Sequence, residues 1–550
     1  MEEISSALQA VCKSLFDTAI EPELSRPDEQ FGDYATNIAL RLSKQLGRNP
    51  REIAEAIKAE LHHEDIASID IAGPGFINIR LTDRALVRLA ETAPATSLTG
   101  KTVVAEYSDP NPFKVLHAGH LYTSVVGDAI ASLLEQAGAD VHRVNFGGDV
   151  GLHVGKTMYV ILRRLEGENP EKLSEIPEAE RSEWLAGCYV EGTNLYDDDE
   201  QAKAEIITLN KRVYQLHDTD DHDSPFAQIY WTCRQWSYDY FNEFYARIGS
   251  SFEKYYPESS VAELGLKTVR EHVGDVFEES DGAIIFKGED HGLHTRVFIN
   301  GEGIPTYEAK DVGLIMTKWE DYRFDRSVVI TGNEQEQYMS VVLKAVEQFR
   351  PELVAATSHL THGIVKLQGG VKMSSRKGNI LRAVDVIDAA YAANKKITGQ
   401  ENEDTALAAV KYAFLKSRMG GDIIYDPEES VALEGNSGPY LQYAHARARS
   451  ILAKTEAQAA ELQELEPDER ALVRKIGEYH EIVDRAVAEL MPHHICTYLY
   501  ELAQAFNRFY EKNRVIGDER ERVRLKLVER YADTLKAGLV VLNISAPDHM

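Results

Sequence analysis

The chain has 550 residues, and 60 Lys and Arg residues against 89 Asp and Glu residues give a formal charge of −29. This length predicts several domains of roughly 150 residues each. A charged fraction of 27% and a mean hydropathy of −0.33 exclude a bundle of membrane helices. Because the net charge repels phosphate, any contact with nucleic acid requires local basic and aromatic patches.

The cysteines and the first residues favour a cytoplasmic protein. Four scattered cysteines, none spaced as C-x-x-C, predict neither a disulfide framework nor a zinc site. The acidic start MEEISSALQAVCKSLF lacks the basic and apolar stretches of a signal peptide. No segment approaches the roughly 18 apolar residues of a membrane-spanning helix.

Residues 1–92 are predicted to form an α+β domain. Helical patterns in NIALRLSKQL and PREIAEAIKAEL precede the alternating run IASIDIAGPGFINIRL, which predicts strands. The polar stretch TAPATSLTG at 92–100 is predicted to be a linker.

Residues 101–385 are predicted to form an α/β domain with a doubly wound, Rossmann-type parallel sheet. The strand TVVAEYS, the helix HLYTSVVGDAIASLLEQ and the strand VHRVNF make a βαβ unit. Polar helices with acidic loops predict a helical insertion over about 165–285, after which SVVITGN and HLTHGIVKL continue the sheet. Amphipathic patterns without strands predict an all-α bundle over 386–550.

Two histidines flank a glycine where the first strand of the α/β domain leads into its helix, in His117-Ala118-Gly119-His120. Backbone N–H groups at a helix N-terminus favour an anion, and imidazoles can donate to a phosphate in the transition state. The pattern therefore predicts a nucleoside triphosphate site. A pair of capping or core histidines would give the same tetrapeptide.

A second loop of glycines, hydroxyls and cations follows a later strand, as GGVKMSSRKG at 369–378. Its glycines allow closure over pyrophosphate, and Lys372 and Lys377 can stabilise that leaving group. A solvated basic turn is the alternative. Both loops, in this order on a doubly wound sheet, are more specific than either alone.

Two other patterns favour a structural interpretation. The segment 150–157 resembles a P-loop, but Val150 occupies the position of the first glycine. The acidic cluster at 217–223 lacks the glycine of an EF-hand and is expected to be a solvated loop. We therefore expect no protein-bound metal.

HAGH at 117–120 and KMSSR at 372–376 resemble the two signature motifs of class I aminoacyl-tRNA synthetases. Longer segments resemble the arginyl-tRNA synthetases among them. These segments are AEYSDPNPFKVLHAGHL, VNFGGDVG, PTYEAKD, GNEQEQ, NSGPYLQYAHARARSIL, YLYELAQAFNRFYE and the final PDHM. FGDYATN at 31–37 and GPGFIN at 73–78 resemble the N-terminal domain that touches the outer corner of tRNA in that family, which implies tRNA contacts by Phe76 and Asn78.

The resemblance implies a two-step reaction. Arginine and ATP, carried with Mg²⁺, form arginyl-adenylate and pyrophosphate, and the arginyl group then passes to the 3′ end of tRNA(Arg). The resemblance further implies that activation occurs only with tRNA bound and that the insertion handles the acceptor end. We expect a monomer without an organic cofactor.

The amino-acid pocket is predicted from both physical chemistry and resemblance. A guanidinium favours a planar, bidentate carboxylate, and Tyr307 and Asp311 are one helical turn apart. We expect Asp311 to bind the guanidinium, although it could instead cap a helix. The resemblance implies that Glu106, Asn111 and Gln335 also hold arginine, with Asn111 and Gln335 near its α-amino and carboxylate groups.

The same resemblance implies the residues that contact ATP. They are Lys114, His117, Gly119, His120, Lys372, Met373, Ser374, Ser375 and Lys377. One departure is visible, because Asp109 stands where the family commonly has serine. The contact made at that position is left open.

Aromatic and basic residues of the C-terminal segment are candidates for reading the tRNA anticodon. Aromatic rings can stack on unpaired bases and arginines can pair with phosphates. The candidates are Tyr440, Tyr443, Arg447, Tyr498 and Arg508. Core aromatics beside a solvated charged face are the alternative.

Two other functions are compatible with parts of the pattern. One is another class I synthetase or a related nucleotidyltransferase, which the Tyr307 and Asp311 pair and the FGDYATN segment disfavour. The other is a synthetase-like RNA-binding protein without catalysis, which the intact HAGH and KMSSR motifs disfavour.

Overall fold

A computed structural model describes residues 2–368 and 381–550 of the chain. Its N-terminal part is an α+β domain around a four-stranded antiparallel sheet in the order β1-β2-β4-β3. The elements are α1 (Glu2–Phe16), β1 (Leu24–Ser25), β2 (Tyr34–Thr36), α2 (Ile38–Leu46), α3 (Pro50–Glu60), β3 (Ile66–Ala72), β4 (Phe76–Leu81) and α4 (Asp83–Glu91). Asn49 caps α3 ahead of Pro50, and Thr82 caps α4, so local sequence sets both helix starts.

The central part carries the main sheet and the elements packed on it. The elements before the insertion are β5 (Thr102–Glu106), α5 (Ala118–Gln136), β6 (Asp140–Gly147) and α6 (Leu152–Arg164). The insertion contains α7 (Arg181–Asp198), α8 (Glu200–Asp218) and α9 (Pro225–Ile248). The later elements are β7 (Lys254–Pro257), α10 (Glu258–Glu271), β8 (Glu278–Ser280), β9 (Ala283–Phe286), β10 (Arg296–Ile299), α11 (Tyr307–Tyr322), β11 (Arg326–Gly332), α12 (Glu336–Glu347), α13 (Pro351–Ala355), β12 (Thr357–His362) and β13 (Val365–Leu367).

The main sheet is parallel, with the strand order β12-β11-β5-β6-β7, which confirms the doubly wound fold. The chain enters at the central strand β5, builds outward to β7, and then returns to place β11 and β12 on the other side. The order therefore reverses between β5 and β11, the point where open α/β sheets form their binding crevice.

The sheet resumes earlier than the predicted end of the insertion at about 285. The helical part ends with α9, and β7 pairs in parallel with β6 from Val144 to Gly147. The four residues of β7 are too few to show a strand pattern, so their state is set by pairing with β6.

The C-terminal part is a helical bundle, as predicted, with one exception. Its elements are α14 (Ala383–Thr398), α15 (Glu403–Leu415), β14 (Ile423–Tyr425), α16 (Pro427–Ser430), α17 (Gly438–Leu452), α18 (Pro467–Ile476), α19 (Tyr479–Glu489), α20 (His493–Lys512) and α21 (Glu521–Val541). The expectation of no strand after 385 is wrong at β14, which pairs in parallel with β13. The predicted strand HLTHGIVKL is correspondingly two strands, separated at Gly363, where any side chain would overlap the backbone of Gly421.

Buried ion pairs join the N-terminal domain to the bundle. Asp33, which is 1% exposed, accepts hydrogen bonds from Arg470 at 2.8 and 3.1 Å and from the Leu81 N–H at 2.7 Å. Tyr34 donates to Glu481 at 2.6 Å. Two residues of the FGDYATN segment thus hold the two domains together.

Across the described residues, no helix is both long and apolar enough to cross a membrane.

Candidate active site

A cavity of about 1030 Å³ opens at the carboxyl ends of β5 and β11. It lies where the strand order reverses, the expected position for a ligand site in this sheet topology. Most of its lining comes from the β5–α5 connection, the start of α11, the β11–α12 connection and the end of β12, and the end of β6, the start of α10, β10 and Leu381 complete it.

The structure brings together most of the residues predicted for arginine and ATP. The predicted residues that line the cavity are Glu106, Asn111, His117, Gly119, His120, Tyr307, Asp311 and Gln335. Lys114 lies beside them, with its Nζ atom 4.7 Å from the ring centroid of Tyr189 in the insertion. The predicted residues Lys372, Met373, Ser374, Ser375 and Lys377 lie outside the described residues.

His117 and His120 form a stacked pair at the N-terminus of α5, with ring centroids 3.8 Å apart. His117 Nδ1 accepts from the Gly119 N–H at 3.0 Å, and His120 Nδ1 accepts from the His117 N–H at 3.1 Å. Because each Nδ1 accepts a backbone N–H, the proton of each neutral ring is on Nε2. The helix cap therefore fixes two Nε2–H donors.

Burial, with nearby positive charge as a smaller contribution, keeps both imidazoles neutral. Burial, followed by the charge of Lys114, lowers the pKa of His117 to about 4. Burial and the neighbouring His117 lower the pKa of His120 well below its ordinary value. A side chain at Gly119 would meet the His117 ring at 2.8 Å, so glycine is required for this stacked arrangement.

Asp311 is a buried carboxylate on α11, 6% exposed, facing the cavity. It accepts a hydrogen bond from the hydroxyl of Tyr338 on α12. Burial raises the pKa of Asp311 to about 8; Glu106 and Glu258 add to the increase, and Tyr338 and Lys318 oppose it. Within residues 2–368 and 381–550, no cation forms an ion pair with Asp311.

Three other carboxylates of the cavity wall have cationic partners. Glu106 pairs with Lys318, Glu258 pairs with Lys310 at 2.6 Å, and Glu308 pairs with Arg296 at 3.1 Å. Lys310 and Lys318 are both buried. These cations neutralise three of the wall carboxylates, whereas Asp311, Asp109 and Glu334 have no ion-pair partner among the described residues.

Asn111 is oriented by the backbone at the end of β6. Its Oδ1 accepts from the Gly148 N–H at 2.7 Å, and His153 donates from Nε2 to the Gly148 carbonyl at 2.7 Å. With Oδ1 occupied, the Asn111 amide group is left to donate toward the cavity.

Asp109, the departure from the family pattern, accepts from the Phe146 N–H at 2.8 Å. Burial raises its pKa well above the ordinary value, and Glu106 adds to the effect. The connection that carries it is strained, because Ser108, Asp109 and Phe113 all have positive φ angles, of 75°, 49° and 67°. Strained backbone of this kind is concentrated at functional sites.

The remaining pocket residues are more open. Tyr307 is 53% exposed at the start of α11, and its ring centroid lies 5.1 Å from Lys310 Nζ. Gln335 is exposed in the turn before α12. Both can reach a ligand in the cavity without displacing core side chains.

The P-loop-like segment at 150–157 and the acidic cluster at 217–223 make contacts typical of structural residues. Lys156 lies on α6 with its Nζ 4.5 Å from the Tyr196 ring centroid, so it does not form a P-loop. In the acidic cluster, His217 hydrogen-bonds to Tyr230 at 2.9 Å. Elsewhere in the described chain, Glu3, His63 and Asp65 lie close together, but Arg88 pairs with both carboxylates and already supplies the cation.

The tRNA candidates divide into exposed and buried residues. Phe76, Tyr443 and Arg508 are exposed. Tyr440 and Arg447 are half-buried, with Tyr440 accepting from Asn507 at 2.9 Å.

Tyr498 and Asn78 are corrections. Tyr498 is 1% exposed, and its hydroxyl donates to the carbonyl groups of Lys475 and Ile476, so it has no face on which a base can stack. It belongs to the apolar stripe of α20 with Leu499 and Leu502. Asn78 is 7% exposed on the inner strand β4, between β2 and β3, and offers little surface to an RNA.

Sequence reasoning missed Tyr338 and Lys318, which contact the predicted carboxylates Asp311 and Glu106, and it missed the pair of Arg296 with Glu308. Tyr338 lies three residues after Gln335 and directly follows the GNEQEQ segment that carried the resemblance. The lysine and arginine have no local signal, because each resembles an ordinary charged residue of a helix or strand.

Three family models match this chain. The model described as "tRNA synthetases class I (R), catalytic domain" matches residues 83–425. The model "Arginyl tRNA synthetase N terminal domain" matches residues 2–81, and "DALR anticodon binding domain" matches residues 441–550.

Full-length relatives agree with these models. The chain is 31% identical to an arginine–tRNA ligase of Vibrio campbellii and 30% identical to that of Aliivibrio fischeri, covering 100% of this chain and 99% of each relative. Its fold matches a Thermus thermophilus arginyl-tRNA synthetase with a TM-score of 0.82 at 24% identity, over 100% of both chains. A Plasmodium falciparum arginyl-tRNA synthetase matches with the same TM-score at 20% identity, over 100% of this chain and 99% of the other.

Proposed function

The chain belongs to the arginyl-tRNA synthetases of class I, and we propose that the cavity between β5 and β11 is where it activates arginine. Its function is that of an arginine–tRNA ligase, which uses ATP to join arginine to tRNA. The observation that carries the assignment of the cavity is Asp311, a buried carboxylate facing it beside the stacked histidines.

Arginine is held at both of its ends. The substrate guanidinium donates to Asp311, a buried wall carboxylate that pairs with no cation of the described residues. The Asn111 amide donates to the α-carboxylate, because its Oδ1 is already occupied by Gly148. Gln335 and Tyr307 contact the remaining polar atoms and the aliphatic chain, and Glu106, which is paired with Lys318, helps to hold arginine as a hydrogen-bond acceptor.

ATP lies against the N-terminus of α5. His117 and His120 donate from Nε2 to the α-phosphate region, Gly119 allows the nucleotide to approach the backbone, and Lys114 reaches a phosphate. Magnesium enters bound to the phosphates of ATP. On sequence grounds, Lys372 and Lys377 stabilise pyrophosphate, and Met373, Ser374 and Ser375 complete the ATP contacts.

The reaction needs positioning more than covalent catalysis. The arginine carboxylate attacks the α-phosphorus, the bond to pyrophosphate breaks, and arginyl-adenylate forms. A ribose hydroxyl of the tRNA 3′ end then attacks the activated carbonyl and AMP leaves. Two neutral donors in a fixed orientation can stabilise the charge on the phosphate without reorganising, which favours the transition state over the bound substrate.

We propose that tRNA contacts both ends of the molecule. Phe76 faces the outer corner, and Tyr440, Tyr443, Arg447 and Arg508 face the anticodon, since they retain exposed surface. The corresponding domains are residues 1–92, 101–385 and 386–550, with the helical insertion beginning near 165 and handling the acceptor end.

We also propose that the protein acts as a monomer in the cytoplasm. All four cysteines are free and buried, which suits a reducing compartment. One chain contains the cavity and each of the exposed tRNA candidates. Light scattering of the purified protein, alone and with tRNA, tests the monomer.

The first experiment is arginine-dependent ATP–pyrophosphate exchange with and without tRNA(Arg), with lysine, glutamine and cysteine as controls. We expect exchange with arginine alone among these amino acids, and only when tRNA is present. Exchange with arginine in the absence of tRNA would contradict the tRNA requirement but keep the site. No exchange under any condition, with tRNA binding retained, would instead favour an RNA-binding protein without catalysis.

A further inference from the structure

The cavity wall carries six carboxylates: Glu106, Asp109, Glu258, Glu308, Asp311 and Glu334. Lysine or arginine side chains of the protein pair with Glu106, Glu258 and Glu308. Asp311 instead receives a neutral donor, the hydroxyl of Tyr338. Its interaction partner is therefore of a different chemical kind from those of its paired neighbours.

Tyr338 is placed to act only as a donor. It lies in the first turn of α12, and both burial and the charge of Asp311 raise its pKa well above the ordinary value. The hydroxyl therefore keeps its proton at neutral and mildly alkaline pH. The guanidinium carbon of Arg296 lies 5.4 Å from the Tyr338 ring centroid, and Arg296 is itself held by Glu308 at 3.1 Å, which restrains the ring.

A hydrogen bond to one carboxylate oxygen fixes the plane of the carboxylate. The Tyr338 hydroxyl occupies Asp311 Oδ2, so the group cannot rotate freely about its Cβ–Cγ bond. A guanidinium donates through two parallel N–H groups and requires that plane, whereas an ammonium ion is a point charge that accepts any orientation. Fixing the plane thus favours one cation over the other without changing the charge.

We propose that Tyr338 is a positioning residue that orients Asp311 for a planar guanidinium and thereby selects arginine over lysine. The inference rests on the proposed function, because it assumes that Asp311 binds the side chain of the substrate. It adds a determinant of specificity on α12, whereas Tyr307 and Asp311 both lie on α11.

The test is Tyr338→Phe, which removes the hydroxyl and keeps the ring. With tRNA(Arg) present, we expect the KM for arginine in ATP–pyrophosphate exchange to rise about tenfold, the loss of one hydrogen bond to a charged group. At pH 9, where most of the Asp311 carboxylate is ionised, the inhibition constant of lysine as a competitor of arginine should stay within about twofold, since an ammonium does not need the fixed plane. The ratio of the two constants is therefore the direct readout of selection.

The pH profile separates positioning from a merely structural role. Tyr338 lowers the pKa of Asp311, as Lys318 does, while burial, Glu106 and Glu258 raise it. Losing the hydroxyl must therefore raise the pKa of Asp311 further, so the increase in arginine KM should be larger at pH 7 than at pH 9. A structural defect would raise the KM equally at both values.

Tyr322→Phe is the matched control, because Tyr322 ends the same helix as Asp311 but lies outside the cavity. Thermal melting of both variants and the KM for ATP report folding. If Tyr338→Phe melts like the parent and leaves both the arginine-to-lysine ratio and the pH profile unchanged, the inference is overturned. If the parent protein itself shows no arginine-dependent exchange, the proposed function fails first, and the two failures are thereby distinguished.

Discussion

Two buried aspartates, Asp33 at the domain interface and Asp311 in the cavity, show opposite uses of the same chemical group. Asp33 accepts two hydrogen bonds from Arg470 and one from a backbone N–H, so its charge is satisfied within the protein. Asp311 accepts one from a neutral tyrosine and pairs with no cation of the described residues, and its burial raises its pKa. A buried charge that is paired stabilises a fold, whereas one left unpaired is available to a ligand.

Backbone strain is concentrated beside the cavity, although single positive φ angles occur at eight other non-glycine residues of the described chain. Positive φ angles at residues with side chains occur three times between β5 and α5, at Ser108, Asp109 and Phe113. Contacts hold this connection in place: the Ser108 hydroxyl hydrogen-bonds to Tyr245 at 2.8 Å, and the Phe113 N–H donates to Ser237 at 2.9 Å. Both partners belong to α9, so the insertion supports the strained part of the site.

Removing the paired aspartate gives the largest expected effect. Asp33→Ala removes the buried carboxylate that pairs with Arg470 and Arg474 and leaves Arg470 only its contact with the more exposed Asp83, so we expect the free energy of unfolding to fall by about 3–5 kcal/mol. Urea denaturation followed by circular dichroism measures the change. The control is Asp28→Ala, which removes an exposed carboxylate five residues away and should cost under about 0.5 kcal/mol. If Asp33→Ala and Asp28→Ala were equally stable, pairing of Asp33 would not stabilise the fold, and the contrast between Asp33 and Asp311 would fail.

Removing the charge of Asp311 should weaken arginine binding without lowering the stability of the fold. Asp311→Asn loses a charge-assisted contact worth about 1.5–3 kcal/mol, so the KM for arginine should rise about ten- to a hundred-fold. The same change removes a buried charge, so thermal stability at pH 8 should increase. Glu320→Gln, an exposed carboxylate on the same helix, is the control. An unchanged arginine KM in Asp311→Asn would disprove the assignment of the guanidinium site.

The pH dependence of arginine binding sharpens the comparison further. The pKa of Asp311 is raised to about 8, and only the ionised form attracts a guanidinium. The KM for arginine should therefore fall as pH rises from 6 to 8, by at most about tenfold per unit, and level off above 8. Stability without arginine should change in the opposite direction, decreasing from about pH 4 to pH 8, because the folded state holds this proton more tightly than the unfolded chain.

Exchange assays across that pH range, with Asp311→Asn as the control, test this directly. The amide does not titrate, so its profile should lose this dependence. A parent enzyme whose arginine KM is flat between pH 6 and 8 would show that another group binds the guanidinium.

The smallest effect should come from a neutral group at the interface. Tyr34→Phe removes the hydroxyl that donates to Glu481 at 2.6 Å, while Arg26 still pairs with Glu481 at 2.7 Å. With that charge still paired, we expect a loss of about 1 kcal/mol. Urea denaturation measures it against Tyr443→Phe, whose ring is exposed. A loss as large as that of Asp33→Ala would contradict this expectation. It would show that the Tyr34 hydroxyl stabilises the interface as much as the charge pair of Asp33 and Arg470.

Much of the site was accessible from local pattern. The glycine and two histidines predicted a helix N-terminus with an anion site, and α5 begins at Ala118 with both rings in the cavity. The spacing of Tyr307 and Asp311 placed both on one helix, as α11 has them. Such patterns succeed because they depend on residues within a turn or two of one another.

The rest required the fold. Glu106 meets Lys318 from a position 212 residues away, and Asp33 meets Arg470 from 437 residues away. Tyr498 lies in an aromatic and basic segment of the kind that contacts RNA, yet its ring is buried inside the helical bundle. The strands β7 and β14 are too short to be recognised without their partners.

The sequence by itself determined which chemistry is present and on which element it lies, because periodicity, caps and signature residues act between covalent near neighbours. It determined the parallel sheet, the histidine pair, the candidate carboxylates and the family. Only the tertiary structure decided which charges are neutralised and which are left for substrate. The physical reason is that pairing depends on distances between groups far apart in the chain, and those distances exist only once the helices and strands have packed.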